Sequence, residues 1–367
     1  MSAPIPFFAA ERTWAAHGER YGALMSGALA SGRALQGRAV GAFEAALAQR
    51  CDRRHAVAVG SGTDALFFAL VAAGVGPGDE VVVPAISFIA SASCVLRAGG
   101  VPVFADVEEH LLLDAGATRA ALSARTRAIL AVDLYGQVVD ARSLQELADE
   151  HGVALVEDAA QALGARAGDD RAGAIGVLSC CSFDPTKTVA APGSGGAVLT
   201  DDDDLAAHLR RLRWHGRDDA GSHVELGYNS QLPTASAAVL LDKLTRHDAA
   251  WTQRRQAIAD RYDEALAGSS ARPVGIAPGR THVFHKYVVR SPDRDALRAA
   301  LAALGVTTLV HYAAPLARQP MFAGRFRETP APVAERACGE VLSLPIHAQL
   351  TDAEVERVCA ALRATAG

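Results

Sequence analysis

Short runs of Val, Ile and Ala alternate with helical patterns along the first two thirds of the chain, and this rhythm restricts the fold more than any other feature. The runs fall at His55 to Val59, Glu80 to Pro84, Val101 to Val107, Ala128 to Tyr135 and Ala154 to Asp158. Each is apolar almost throughout and does not alternate with polar residues, which is the pattern of a strand covered by helices on both faces. Strand, helix, strand in repetition calls for crossover connections and a mostly parallel sheet. Cys180 to Phe183 and Gly196 to Thr200 read as two further strands of the same sheet, seven in all. The fold class expected is therefore α/β, a large domain whose sheet is sandwiched by helices.

Beyond Leu232 the pattern changes to a long helical stretch, Thr234 to Leu266, read as a bridge into a smaller α+β C-terminal domain. That domain shows a strand at His285 to Arg290, a helix from Asp293 to Leu304 stopped by Gly305, a short run at Thr307 to Tyr312, and a last helix from Asp352 to Arg363. The expected division is residues 1–245 and 246–367, with the N-terminal segment contacting the small domain or a dimer partner. Asp201 to Asp204 is read as the capped first turn of a helix, because carboxylates there meet the positive end of the dipole.

Half of the 367 residues are apolar, 21% are charged, and the formal charge is −5, which argues against a nucleic-acid partner. The first residues carry no basic segment followed by an apolar run. Later apolar stretches are broken before membrane-spanning length, so a cytoplasmic protein without a membrane partner is expected. Six cysteines at 51, 94, 180, 181, 338 and 359 include no Cys-x-x-Cys pair and are read as reduced core thiols. No metal is expected: Cys180 and Cys181 are neighbours on a strand and face opposite sides, and the twelve histidines never form His-Glu-x-x-His.

In sheets of this kind ligands sit beyond the carboxyl ends of the strands, and the chemistry-bearing residues collect there. Asp158 ends one apolar run, where a buried carboxylate needs a cationic partner. Gly60-Ser-Gly-Thr63 follows another, where glycines let the backbone approach an anion and Thr63 opens a helix. Ser182 ends a third, and Lys187 follows in a Pro-Thr-Lys turn. A carboxylate for a ring nitrogen, an amine for an aldehyde and a cradle for a phosphate together describe a site for pyridoxal 5'-phosphate (PLP). Phe88 either lies against such a ring or joins the core, and Gln161 either donates to the ring oxygen or stays on the surface.

These residues, with Leu134-Tyr-Gly-Gln137, His215-Gly-Arg217, Gly227-Tyr-Asn-Ser230 and His311-Tyr312, resemble the DegT/DnrJ/EryC1/StrS sugar aminotransferases, within fold type I of the PLP enzymes. The resemblance spans nearly the whole chain. It implies that Lys187 binds the cofactor aldehyde and shuttles the proton, that Asp158 partners the ring nitrogen and Gln161 the ring oxygen, that Phe88 stacks, and that Gly62, Thr63 and Ser182 hold the phosphate. It further implies a homodimer with shared active sites, in which Asn229 reaches the partner subunit's phosphate. The activity implied is transfer of an amino group from glutamate or glutamine to a nucleotide-linked keto sugar, with the cofactor cycling through pyridoxamine 5'-phosphate. Tyr228, Gln231, His285, His311 and Tyr312 are candidate substrate contacts. Gln231 stands where the family usually has arginine, Asp184 where it has an aromatic or histidine, Ser194 where an acid is common, and Ala317 where histidine is frequent. An alternative is a PLP enzyme of another reaction class, such as a lyase, dehydratase or cyclising enzyme.

Overall fold

The computed structural model describes residues 3–327 and 329–365. Seven strands build the main sheet: β1 (His55–Val59), β2 (Glu80–Pro84), β3 (Val101–Ala105), β4 (Thr126–Val132), β5 (Ala154–Asp158), β6 (Leu178–Ser182) and β7 (Gly196–Thr200). Their order is β1-β7-β6-β5-β4-β2-β3. From β6 to β3 every pairing is parallel, whereas β7 lies antiparallel to both neighbours. Strand interiors are buried on both faces, as in Val81, Val82 and Val83 or Ile129, Leu130 and Ala131, which is the cause of their unbroken apolar character.

Helices cover this sheet. Gly62–Ala72 is apolar nearly all round and buries Leu66, Phe67, Phe68 and Leu70, as a helix packed between a sheet and other helices must. Phe43, on the helix Arg38–Arg50, meets Phe183 edge to face with centroids 5.1 Å apart. The acidic run behaves as expected, with the Asp202 side chain capping the helix Asp203–Leu212 by accepting from the Leu205 amide at 2.9 Å.

A second sheet comprises β8 (Arg272–Pro273), β9 (Tyr287–Arg290) and β10 (Val341–Leu344), all antiparallel. It shares a core with the helices Asp248–Leu266, Arg294–Ala303 and Asp352–Ala364, in which Tyr262, Leu301, Val355 and Val358 are fully buried. Ile5 belongs to this core too: its amide donates to Gly305 at 2.9 Å, while Arg12 grips Glu354 through two hydrogen bonds of 2.7 Å. The chain start is thus tied to its end.

One expectation needs correction. The stretch from 234 to 266 is two helices, Thr234–Arg246 and Asp248–Leu266, separated at His247 (φ −122°, ψ −29°). No proline or glycine marks the break. Tertiary contacts make it, because Asp248 in the first turn of the second helix is bound by Arg50 at 2.9 Å and the His247 ring stacks on Trp251. The run Thr307 to Tyr312 makes a single bridge, Leu309 to Ser343. All six cysteines are free and buried, and no helix among the described residues is long and apolar enough to cross a membrane.

Candidate active site

Strands β1, β5 and β6 end at the same edge of the sheet, and the loops that leave them wall a cavity of about 460 Å³. Gly62, Thr63, Phe88, Asp158, Gln161, Ser182, Lys187, His285, His311 and Tyr312 line it. Ten of the sequence-selected residues therefore converge from segments distant along the chain. The other three do not enter this cavity of their own chain. Tyr228 packs edge-on against Phe67 at 5.0 Å, which makes it part of the hydrophobic core's flank. Asn229 and Gln231 lie on the chain's exterior, where Gln231 bonds Gln36 at 2.6 Å.

The β1 exit is built for close approach. Ser61 caps the following helix by accepting from the Asp64 amide at 3.0 Å, and Gly62 is the first helical residue. A Cβ on Gly62 would fall 2.6 Å from the Ser182 Cβ and 2.7 Å from its Oγ. Only hydrogen fits there, so the free amides of the helix start and the Ser182 hydroxyl face one small space, the arrangement that favours an anion. Behind the loop, Ser230 Oγ accepts from the Gly60 amide at 2.9 Å and donates to Asp64 at 2.7 Å, fixing its path.

Asp158 closes β5 and is buried. Its carboxylate accepts from the Ala160 amide at 3.1 Å and the Ser91 hydroxyl at 3.2 Å. Burial pushes its pKa up, and the Lys187 ammonium, then these two donors, offset part of the rise. A carboxylate accepts about four hydrogen bonds, so Asp158 keeps capacity for a further N–H. Gln161 accepts the Tyr135 amide through Oε1 at 2.9 Å, which leaves its amide hydrogens for other partners. The exposed Phe88 ring, 51% accessible, stands at the start of the helix Ile89–Arg97 with its centroid 6.5 Å from that of Tyr312.

Lys187 sits on a turn that Asp184 organises. Asp184 Oδ1 accepts the Thr186 amide at 2.9 Å and hydroxyl at 2.6 Å, and its carbonyl accepts the Lys187 amide at 2.9 Å. This gives Asp184, a departure from the resembled pattern, a positional task. Burial lowers the Lys187 pKa, against the opposing pull of Asp158 and Asp184. A lowered amine pKa increases the neutral, nucleophilic form.

His311 Nδ1 lies 2.9 Å from Ser343 Oγ, and burial holds its pKa down at about 4, so the ring is neutral near pH 7. His285 is buried with Nδ1 unpartnered. Sequence reasoning missed Phe8, Thr186 and Lys286, which also line the cavity. Lys286 had a usable signal: a lysine that begins an apolar strand is costly to bury. Phe8 had none, because its place depends on the chain start folding back.

Comparison with known proteins places the chain in a family. Residues 17–363 match the DegT/DnrJ/EryC1/StrS aminotransferase family. The dTDP-3-amino-3,4,6-trideoxy-alpha-D-glucose transaminase of Streptomyces venezuelae is 43% identical over 334 residues, 90% of this chain and 88% of the relative. S. venezuelae DesV, solved in complex with a ketimine intermediate, superposes with a TM-score of 0.96 at 41% identity, covering 100% of this chain and 99% of that one. NtdA from Bacillus subtilis, solved with bound cofactor PMP, superposes with a TM-score of 0.92 at 27% identity, covering 100% and 86%. A match over nearly the whole length, with the same fold, makes this chain a member of the DegT/DnrJ/EryC1/StrS aminotransferase family.

Proposed function

We propose that this protein is a PLP-dependent aminotransferase that moves an amino group from an amino acid to the keto group of a nucleotide-linked sugar, in amino-sugar formation for a secondary metabolite or surface glycan. The observation that carries the reading is the convergence of Lys187, Asp158 and the Gly62–Ser182 cradle on one cavity. The residues suit the cofactor. Asp158 has unused acceptor capacity for a ring N–H, and the Gly62 position leaves room for phosphate oxygens that any side chain would fill. When bound, PLP supplies an electron sink for charge developing on the substrate carbon.

The chain's own groups perform the rest. Asp158 would hold a proton on the ring nitrogen through a charge-assisted bond that repays part of its burial cost. Amides at Gly62 and Thr63, with the Ser182 hydroxyl, would hold the phosphate, Phe88 would cover the ring and the Gln161 amide would donate to its oxygen. Lys187 Nζ accepts the proton from the substrate carbon and delivers it at the end of the transfer, a task that the lowered pKa of a buried amine favours. Asn229, outside the cavity of its own chain, is assigned to the phosphate of a second copy, giving a homodimer with shared sites. Its substrates and its free thiols suit a cytoplasmic setting. The relative's dTDP-sugar supports the nucleotide-linked acceptor.

The test is an absorbance titration of purified enzyme with glutamate, glutamine and other amines. Conversion of the cofactor's visible band to the pyridoxamine form is expected. No conversion by any donor, with the cofactor bound, refutes the assignment.

A further inference from the structure

A second chamber, of about 170 Å³, adjoins the larger cavity at Lys187. Phe8, Thr186, Lys187, His285 and Lys286 line both. Its wall also includes Lys243 and Arg255 but no Asp or Glu among the described residues. Cations without a carboxylate, in an otherwise largely apolar enclosure, form an incomplete electrostatic arrangement.

The buried polar groups of this wall have unused hydrogen-bonding capacity. Lys286 is 5% exposed and directly precedes β9; its ammonium lies 4.6 Å from the Phe8 ring centroid, with no hydrogen-bond or ion-pair partner among the described residues. Arg255, 8% exposed, donates through Nη1 to the carbonyls of Phe284 at 3.1 Å and Ile346 at 2.7 Å, while its Nε is unpartnered. His285, 5% exposed, has an unpartnered Nδ1. Lys243 differs, because its Nζ donates to the Ala190 carbonyl at 2.6 Å. Burial, then repulsion from Lys187 and Arg255, pushes Lys286 well below the usual amine range, with only Asp184 opposing. An incoming anion would relieve all of these costs together.

We propose that this chamber is the subsite for the distal carboxylate of a dicarboxylic amino donor and its keto product, and that Lys286 is the residue that selects for it. The inference rests on the transaminase reading above. An amino donor must bring its amine-bearing carbon to Lys187, and the chamber opens beside that residue. A four- or five-carbon diacid places its second carboxylate one or two methylenes further on, in the chamber that Lys286 and Arg255 line. The chamber has less than half the volume of the larger cavity, which suits a short acid tail and leaves the larger cavity for the sugar nucleotide. Gln231 offers no competing charge, being neutral and bonded to Gln36 outside the cavity.

The experiment uses the holoenzyme and two unreactive probes, glutarate and pentanoate, which share a five-carbon chain and differ in the second carboxylate. Calorimetry gives their Kd for wild type, Lys286→Met, Lys286→Gln and Lys286→Arg. Glutarate is expected to bind wild type at least tenfold more tightly than pentanoate. Lys286→Met and Lys286→Gln should erase that margin, Lys286→Arg should keep most of it, and the cofactor band should be the same in all four. Equal affinity of wild type for the two acids, or an unchanged margin in both neutral variants, overturns the proposal. Because the probes carry no amine, the margin decides the subsite even if no donor converts the cofactor, a result that would count against the transaminase reading alone.

Discussion

Gly62 and Ser182 face each other across the ends of β1 and β6 so closely that a single added methyl group, 2.6 Å from the Ser182 Cβ, would fill the space between them. Gly62→Ala therefore has to push back either the helix start or the β6 end. The expected result is a loss of about 1–3 kcal/mol in stability with a cofactor Kd raised tenfold or more. Melting curves with and without PLP measure both. A variant with wild-type cofactor affinity would show that the phosphate lies elsewhere.

Lys187→Ala should leave the fold intact, since it removes a buried amine that carries a desolvation cost. Transamination should fall by at least about 10³-fold. Borohydride reduction of wild type, but not of the variant, should add the cofactor's mass to the peptide containing residue 187. Addition at another lysine would remove the assignment.

Asp158→Asn separates folding from chemistry. Burial raises this carboxyl's pKa in the folded chain, so the fold binds the proton more tightly than the unfolded chain does. Without cofactor, Asp158 consequently lowers stability as pH rises from about 3.9, the unfolded value, through the raised folded value, and the deficit persists above it. At pH 7 the cofactor-free Asn variant should melt at the same or a higher temperature than wild type. Its turnover should nevertheless drop on the order of 10²-fold or more, because the amide cannot hold the ring proton by charge. Unchanged turnover would refute the role.

Glu354 gives a pH effect of the opposite sign. The Arg12 guanidinium, followed by the Thr351 amide and hydroxyl, holds its carboxyl down at about 2. Its stabilisation is present above the ordinary carboxyl range and is lost as pH falls from about 4.3 toward 2. The pair contributes about 1 kcal/mol and ties the first turn of the N-terminal helix Ala10–Ala30 to the first turn of the helix Asp352–Ala364. Glu354→Gln should flatten this part of the acid-stability curve and speed proteolysis near Arg12. An acid profile identical to wild type would exclude the linkage.

The parts of the site that could be read from the chain alone were those set by local pattern. Asp158 and Ser182 each end an apolar run, and a strand's end is where a buried sheet delivers a side chain to its ligand edge. Gly60-Ser-Gly-Thr63 carries its own cue in the glycines. Tyr228 shows the limit: beside Asn229 in a recognisable motif, it nonetheless packs on Phe67 and Phe68, and no local signal separates a core aromatic from one that meets substrate.

By itself, the amino-acid sequence determined the apolar runs, the turn chemistry and the reactive residue types, because these depend on neighbours a few positions apart. It thereby determined an α/β fold and the strand ends at which Asp158, Ser182 and Gly62 stand. Only tertiary structure decided that β7 enters antiparallel between β1 and β6 and that the helix breaks at His247 with Asp248 against Arg50. It alone brought Phe8, Lys187, Arg255 and Lys286 around one chamber. Such juxtapositions come from long-range packing, in which the burial of distant apolar faces outweighs local preference and carries polar groups with it wherever the chain path requires.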